Sequence, residues 1–251
     1  MTILTCPRPA FERGRLLQGV DGCKGGWILV RCRLPEDPDA PVLEVEASLH
    51  GEASSLVANQ VPLPLTAIDI PIGLPEVGPR DCDRQARVLL GVRRGSVFPA
   101  PLRPVLQARS YGEANALCRR MQGRGLPLQS FHLLAKIRQV DALLQHTIAL
   151  RPWLLEAHPE LSFRDWNGGT PMGHPKSTAV GRSERLALVE RLFPGHFGRW
   201  RAELPRRWVA DDDLLDAFAL LRVALRRAWG QAQWVGDGEN DPCDLPMRIW
   251  F

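Results

Sequence analysis

The sequence predicts an α/β protein built on a mixed five-stranded sheet, with flanking helices and an all-helical insertion between the fourth and fifth strands. Two observations indicate this fold class. Short apolar runs separated by glycine or proline open the chain, and helical periodicity dominates only after the fourth run. With 251 residues, 45% of them hydrophobic, the chain can bury a full core, so we predict one domain over residues 1–251.

The first three strands are predicted at residues 16–21, 27–34 and 41–49, after an N-terminal arm at residues 1–14. Glycine- or proline-bearing connections between these strands indicate an antiparallel meander. The fourth strand, residues 65–70, follows a crossover and can therefore lie parallel to the first. The segment "WLLEAHPELSF", residues 153–163, is predicted as the fifth strand, with Glu156 at its tip and a turn at His158-Pro159 after it.

Helical patterns fill most of residues 76–150, the predicted insertion. "RDCDRQARVLLG" ends on a glycine suited to a helix C-cap, and Ser110 and Glu113 have capping-box spacing at the start of a second helix. A third helix is predicted near residues 130–150. Two more are predicted after the fifth strand, near residues 183–193 and 212–229.

Composition limits the kinds of partner. The net charge of +4 permits a nucleic acid or a phosphorylated small molecule without requiring either. Six scattered cysteines without a C-x-x-C pair argue against a zinc site or a disulfide framework. No apolar run is long enough to cross a bilayer, so we expect a cytoplasmic protein with no membrane partner.

Acidic residues lie at the ends of three predicted strands. Asp21 ends the first strand, Asp69 lies within "AIDIPIGLP" at the end of the fourth, and Glu156 is at the tip of the fifth. A carboxylate in such an apolar run is costly unless something offsets its charge. Because parallel strands end at the same sheet edge, we expect Asp21 and Asp69 to be neighbours at a ligand site.

The last predicted helix adds carboxylates in "ADDDLLDAFALL". Asp213 and Asp216 are three residues apart and share a helix face, and Asp216 lies among apolar residues. Capping of the helix N-terminus is the alternative role for the first of these acids.

Together these acids form a cluster of oxygen ligands that suits Mg²⁺ or Mn²⁺. We predict Asp21, Asp69 and Asp213 as metal ligands, with Glu156 and Asp216 as supporting ligands or a base. Metal-assisted phosphodiester cleavage is the chemistry that such a site supports.

Several motifs carry a resemblance to a known family. In order, they are "GVDGCKGGW", "DIPIGLP", "RDCDRQARVLLG", "SVFPAP", "KIRQVD", "EAHPELSF" and "KSTAVGRSER". From about Gly19 to Ala228 the chain resembles a bacterial and archaeal domain-of-unknown-function family described as predicted ribonuclease-H-like nucleases. The resemblance implies a ribonuclease-H-like fold, with Asp21 and Asp69 in the first- and fourth-strand carboxylate positions. It also implies Glu156 at the fifth-strand position and Asp213 or Asp216 in the helix position.

Basic residues near these motifs are candidates for binding substrate phosphates: Lys24, Arg80, Arg87, Lys136, His158, Lys176 and Arg185. Only three of the 32 lysines and arginines are lysine, which draws attention to Lys24, Lys136 and Lys176. Alternatives remain for the others. Arg80 and Arg87 suit a salt-bridged helix face, and His158 suits a hydrogen bond to its own turn.

Two other functions stay open. The actin and sugar-kinase group uses a related sheet and strand-end aspartates to hold nucleotide phosphates, but this chain is short for two such domains and "VDGCKGGW" has no serine or threonine. A non-catalytic protein that holds a structural ion, a nucleotide or another metabolite is the second alternative.

Overall fold

The computed structural model describes residues 4–5, 14–38 and 40–251. Its strands are β1 (Leu4–Thr5), β2 (Leu16–Cys23), β3 (Gly26–Arg33), β4 (Glu46–His50), β5 (Leu65–Ile68), β6 (Leu154–Glu156), β7 (Gln233–Val235) and β8 (Ile249–Trp250). Its α-helices are α1 (Asp81–Leu90), α2 (Tyr111–Gln122), α3 (Leu128–His146), α4 (Pro159–Trp166), α5 (Ala179–Leu192), α6 (His196–Glu203) and α7 (Asp211–Ala228). The chain is therefore an α/β protein, as the sequence predicts.

The main sheet has five strands in the order β4-β3-β2-β5-β6. β2, β3 and β4 form the expected antiparallel meander, whereas β5 lies parallel to both β2 and β6. In the register, Val20 pairs with Ile68, and Ile68 pairs with Glu156. The residues that follow these positions consequently emerge at one edge of the sheet.

One face of the sheet is covered by α7. Gly19, in the middle of β2, allows the closest approach, because a Cβ atom at this position would lie 2.0 Å from the Leu221 backbone nitrogen and 2.2 Å from the Ala217 carbonyl oxygen. The helix side chains from Leu214 to Leu225 are all buried. This contact places the first turns of α7 beside the end of β2.

The opposite face is covered by α3, whose Ile137, Val140 and Leu144 pack in one cluster with Val20 and Leu29 of the sheet. Helices α1, α2 and α3 all lie between β5 and β6 in the chain. They do not form one separate lobe, because α1 packs against α4, β7 and β8. The main sheet is thus enclosed by helices on both faces.

Two predicted strand segments are only partly in strands. In the 41–49 segment, only residues from Glu46 onward pair with β3. In the 153–163 segment, the strand ends at Glu156, the tip expected from the sequence, but α4 begins at Pro159, where the sequence predicts only strand and turn. Proline suits the first turn of a helix, where its missing N–H would have no partner. The apolar residues that resembled a strand continuation, Leu161 and Phe163, are buried on α4 instead.

Two elements are not predicted from the sequence: α6, and a second sheet in the order β1-β7-β8. Most of the predicted N-terminal arm lies outside the described residues. The cysteines among the described residues are free thiols, and Cys6 lies outside this set. No helix in the described part of the chain combines the length and apolarity needed to span a membrane.

Candidate functional site

A cleft of about 330 Å³ opens at the edge where β2 and β5 end and α7 begins. Five carboxylates singled out from the sequence line it: Asp21, Asp69, Glu156, Asp213 and Asp216. The strands set this arrangement, because the Asp69 N–H donates to the Val20 carbonyl at 3.1 Å and extends the parallel pairing to the sheet edge. The structure thus brings together acids that are far apart in the chain.

Asp21 and Asp69 are the strand-end pair. Burial raises the pKa of Asp21 well above its usual value, and the charges of Asp216 and Asp69 raise it further. Burial also raises the pKa of Asp69, whereas His158 and Lys176 oppose the rise. Neither carboxylate has a hydrogen bond or salt bridge to another described side chain. Their charges are therefore only partly compensated.

Asp213 and Asp216 reach the cleft from the first two turns of α7. Asp213 accepts a hydrogen bond from the Ala210 N–H at 2.8 Å, so it both reaches back to the helix start and lines the cleft. Burial raises the pKa of Asp213 and raises that of Asp216 to about 7. The capping role considered for the first acids of this helix is thus present at Asp213, together with a position in the cleft.

Lys176 is a cation inside this acidic cluster. Its Nζ donates to Asp216 Oδ2 at 2.5 Å and lies 3.7 Å from Asp212 Oδ2. Burial would lower the pKa of Lys176, but the charges of Asp216 and Asp21 raise it above its usual value. The other oxygen of Asp216, Oδ1, is buried without a hydrogen-bond partner among the described atoms. Lys176 therefore neutralises one oxygen of Asp216 and leaves the second unpaired.

Glu156 is held by an internal ion pair. Arg80 donates to Glu156 Oε1 and Oε2 at 2.7 Å each, and to Asp83 at 2.6 Å. The Ile72 N–H adds a bond of 2.6 Å to Glu156. The Arg80 side chain is only 1% exposed, which corrects its assignment as a ligand of substrate phosphates. Glu156 likewise has little free capacity to ligate a metal.

Arg185 is a second correction. Its guanidinium donates to both carboxylate oxygens of Glu160 at 2.6 to 2.9 Å, and its side chain is 1% exposed. A buried, fully bonded arginine of this kind stabilises the packing of α5 on α4. The guanidinium of Arg185 is therefore occupied by Glu160 and is not available to bind substrate phosphates, contrary to the prediction.

His158 and Lys136 line the cleft as expected. His158 Nε2 lies 3.3 Å from the Ser96 carbonyl oxygen, and its Nδ1 is buried without a hydrogen-bond partner in the described structure. Lys136 donates to the Gly26 carbonyl at 2.5 Å, with its Nζ 4.7 Å from the ring centroid of Trp27. Both side chains are placed to meet a ligand in the cleft.

Lys24 and Arg87 lie outside the cleft lining. Lys24 is exposed on the turn between β2 and β3, with its Nζ 5.7 Å from the ring centroid of Trp208. Arg87 donates to the Val97 carbonyl at 2.7 Å and so connects α1 to the loop that carries Phe98. Phe98 itself is 45% exposed and lines the cleft.

Trp208, which lies beside Lys24, is not among the candidate residues predicted from the sequence. This exposed tryptophan follows two arginines in "PRRW", just before the acidic start of α7, and that juxtaposition is the signal that could have identified it.

The donor set partly fits a divalent cation. Asp21 and Asp69 present carboxylate oxygens, which Mg²⁺ and Mn²⁺ prefer, and their repulsion is the kind that a cation relieves. Within the described residues, however, no three acidic, histidine or cysteine side chains are close enough together to hold one metal ion.

Comparison with family models gives one match. The family described as protein of unknown function (DUF429) matches residues 19–240. The chain belongs to this family. The matched region contains every residue that lines the cleft described above except Ile249. Comparisons with curated proteins and with solved structures give no match.

Proposed function

We propose that the chain is a divalent-metal-dependent phosphodiester hydrolase, a nuclease, with a ribonuclease-H-like fold. The observation that carries the proposal is the convergence of Asp21, Asp69, Asp213 and Asp216 on one cleft at the end of two parallel strands. The sheet order and the helices between β5 and β6 support the fold assignment. The cytoplasmic location stays a prediction from the sequence.

In this proposal Asp21 and Asp69 would be the direct ligands of Mg²⁺ or Mn²⁺, and Asp213, the third ligand predicted from the sequence, would support them together with Asp216. A bound ion would supply activation of water and stabilisation of the leaving oxygen. The chain's own residues do the rest. Lys176 and Lys136 are placed to bind phosphate oxygens, and the free Nδ1 of His158 can exchange a proton.

The test is calorimetric titration of metal-stripped protein with Mn²⁺, comparing the wild type with Asp69→Asn. We expect micromolar binding by the wild type, on the order of 8 kcal/mol, and its loss in the variant. Glu44→Gln is the matched control, because it also removes one carboxylate but is exposed and outside the cleft. If the wild type does not bind Mn²⁺, or if Asp69→Asn binds it equally well, the metal assignment fails.

A second candidate is a protein that binds a nucleotide or another phosphorylated metabolite without catalysis. The observation in its favour is the Lys176–Asp216 salt bridge, which neutralises part of the cluster without a metal. Nucleotide binding in the presence of EDTA, without any Mn²⁺ binding, would favour this candidate over the hydrolase.

A further inference from the structure

An exposed group of one aromatic and two basic side chains lies near the cleft, and we call Lys24, Arg207 and Trp208 the aromatic–basic patch. Trp208 is 37% exposed, so part of its ring surface is open to a ligand. The Lys24 ammonium lies 5.7 Å and the Arg207 guanidinium 5.3 Å from the centroid of its ring. Both cations are on long, exposed side chains that can move to a ligand.

The patch is fixed to the frame of the cleft. The Gly25 N–H donates to the Trp208 carbonyl at 3.0 Å, and a Cβ atom at Gly25 would lie only 2.8 Å from the Trp208 Cβ. The next residue, Gly26, accepts the hydrogen bond of Lys136, a cleft residue. Trp208 also shortly precedes α7, which carries Asp213 into the cleft. The backbone of Gly25 and Gly26 thus contacts Trp208 of the patch and Lys136 of the cleft.

The charge pattern suits a polyanion that extends beyond the cleft. The cleft floor is acidic, whereas Lys24, Arg206 and Arg207 are exposed cations on the segments that lead into β3 and α7. The Arg206 side chain is 71% exposed and pairs with Asp211 at 3.2 Å. Exposed arginines and lysines of this kind bind a phosphate backbone and give affinity that falls with salt.

The volume of the cleft bears on whether its ligand is a single strand or a duplex. Its volume of about 330 Å³ is that of a small-ligand pocket, and Ile70, Phe98 and Leu133 give it apolar walls. A space of this size has room for about one nucleotide unit. A strand whose bases are free to unstack can enter it.

We propose that the ligand of the cleft is a single-stranded nucleic acid, with one base stacked on Trp208 and its phosphates bound by Lys24 and Arg207. The base takes the position over the ring that the two cations hold in the free protein. This inference rests on the proposed function and names the substrate class of the same site.

The test is fluorescence anisotropy with labelled single strands of about twelve nucleotides, as DNA and as RNA, in EDTA so that binding is measured without cleavage. We expect Trp208→Ala to weaken binding about fivefold to 150-fold, the range for loss of one base–aromatic stack. The double variant Lys24→Ala/Arg207→Ala should lower the slope of log affinity against log salt by about 0.7 for each phosphate group that the variant no longer binds. Arg120→Ala/Arg124→Ala is the matched control, because these exposed arginines lie outside the patch and the cleft lining.

The outcomes separate this inference from the proposed function. Equal binding by Trp208→Ala and the wild type, or tighter binding of a duplex than of a single strand, would overturn the single-strand assignment even if the protein cleaves with Mn²⁺. Trp208-dependent binding of single strands without Mn²⁺ binding would support the ligand class and refute the hydrolase. A loss in the control double variant as large as in the patch double variant would indicate only general charge attraction and would also overturn the proposal.

Discussion

The two carboxylate oxygens of Asp216 have different surroundings in the cleft. Its Oδ2 is bound by Lys176, whereas its Oδ1 is buried without a partner among the described atoms. An unpaired buried carboxylate oxygen costs free energy that a donor or a cation would recover. Lys176 therefore competes for the same acid that a metal ion would use.

Replacing Lys176 by methionine tests this competition. We expect Lys176→Met to bind Mn²⁺ about tenfold more tightly than the wild type, because a positive charge that repels the ion is removed. Calorimetry of the metal-stripped proteins measures the difference. Lys24→Met is the control, since it makes the same change outside the cleft lining. Weaker binding by Lys176→Met would mean that the lysine is needed to hold Asp216 in place.

The raised pKa of Asp21 leads us to expect that the stability of the metal-free protein depends on pH. Because its pKa is raised from 3.8 in the fold, the folded state holds a proton that the unfolded chain releases. The stability from this group is full below pH 3.8 and is lost as the pH rises through the raised pKa. Each pH unit by which the pKa is raised corresponds to about 1.4 kcal/mol at high pH.

The substitution Asp21→Asn should remove the loss of stability at high pH, because asparagine does not ionise. We expect the melting temperature of the variant to exceed that of the wild type by a few degrees at neutral pH, and the gain to disappear in acid. Asp241→Asn is the contrasting control, because Asp241 accepts hydrogen bonds from the N–H groups of Leu74 and Leu245 and the protein should be destabilised by the change. A lower melting temperature for Asp21→Asn throughout the pH range would show that its carboxylate is satisfied rather than repelled.

At the scale of elements, the contact between β2 and α7 determines whether the carboxylates meet. β2 carries Asp21, α7 carries Asp213 and Asp216, and Gly19 is where the two backbones touch. Since a Cβ atom at Gly19 would overlap helix backbone rather than a flexible side chain, the helix must move to accept one.

Gly19→Ala should therefore lower the free energy of unfolding by about 3 kcal/mol, the upper end for overpacking in a core. It should also weaken Mn²⁺ binding by displacing the two α7 acids from Asp21. Urea unfolding and calorimetry measure the two effects. Gly198→Ala in α6 is the control, because a Cβ atom there meets nothing within 4 Å and should leave stability unchanged or slightly raised. Comparable stability of the two variants would contradict the close approach.

At the scale of the whole molecule, sequence reasoning predicts the sheet and the strand-end acids because both depend on local pattern. Apolar runs mark β2 and β5, and parallel strand ends necessarily meet. It fails where a partner is distant in the chain. Arg80 is 76 residues from Glu156, and nothing in either segment indicates that this acid, rather than a phosphate, binds the arginine. The helix α4 was missed for a related reason, because its apolar residues suit either a strand or a buried helix until packing decides.

The central position of β2 has a consequence for folding. This strand pairs with β3 next to it in sequence, but its other neighbours, β5 and α7, come from much later in the chain. Contacts of such long sequence separation close slowly, because loop entropy is lost before they form. The carboxylates at positions 21, 69, 213 and 216 therefore come together only after the last helix has docked. Until the last helix docks, these four carboxylates stay apart and do not repel one another.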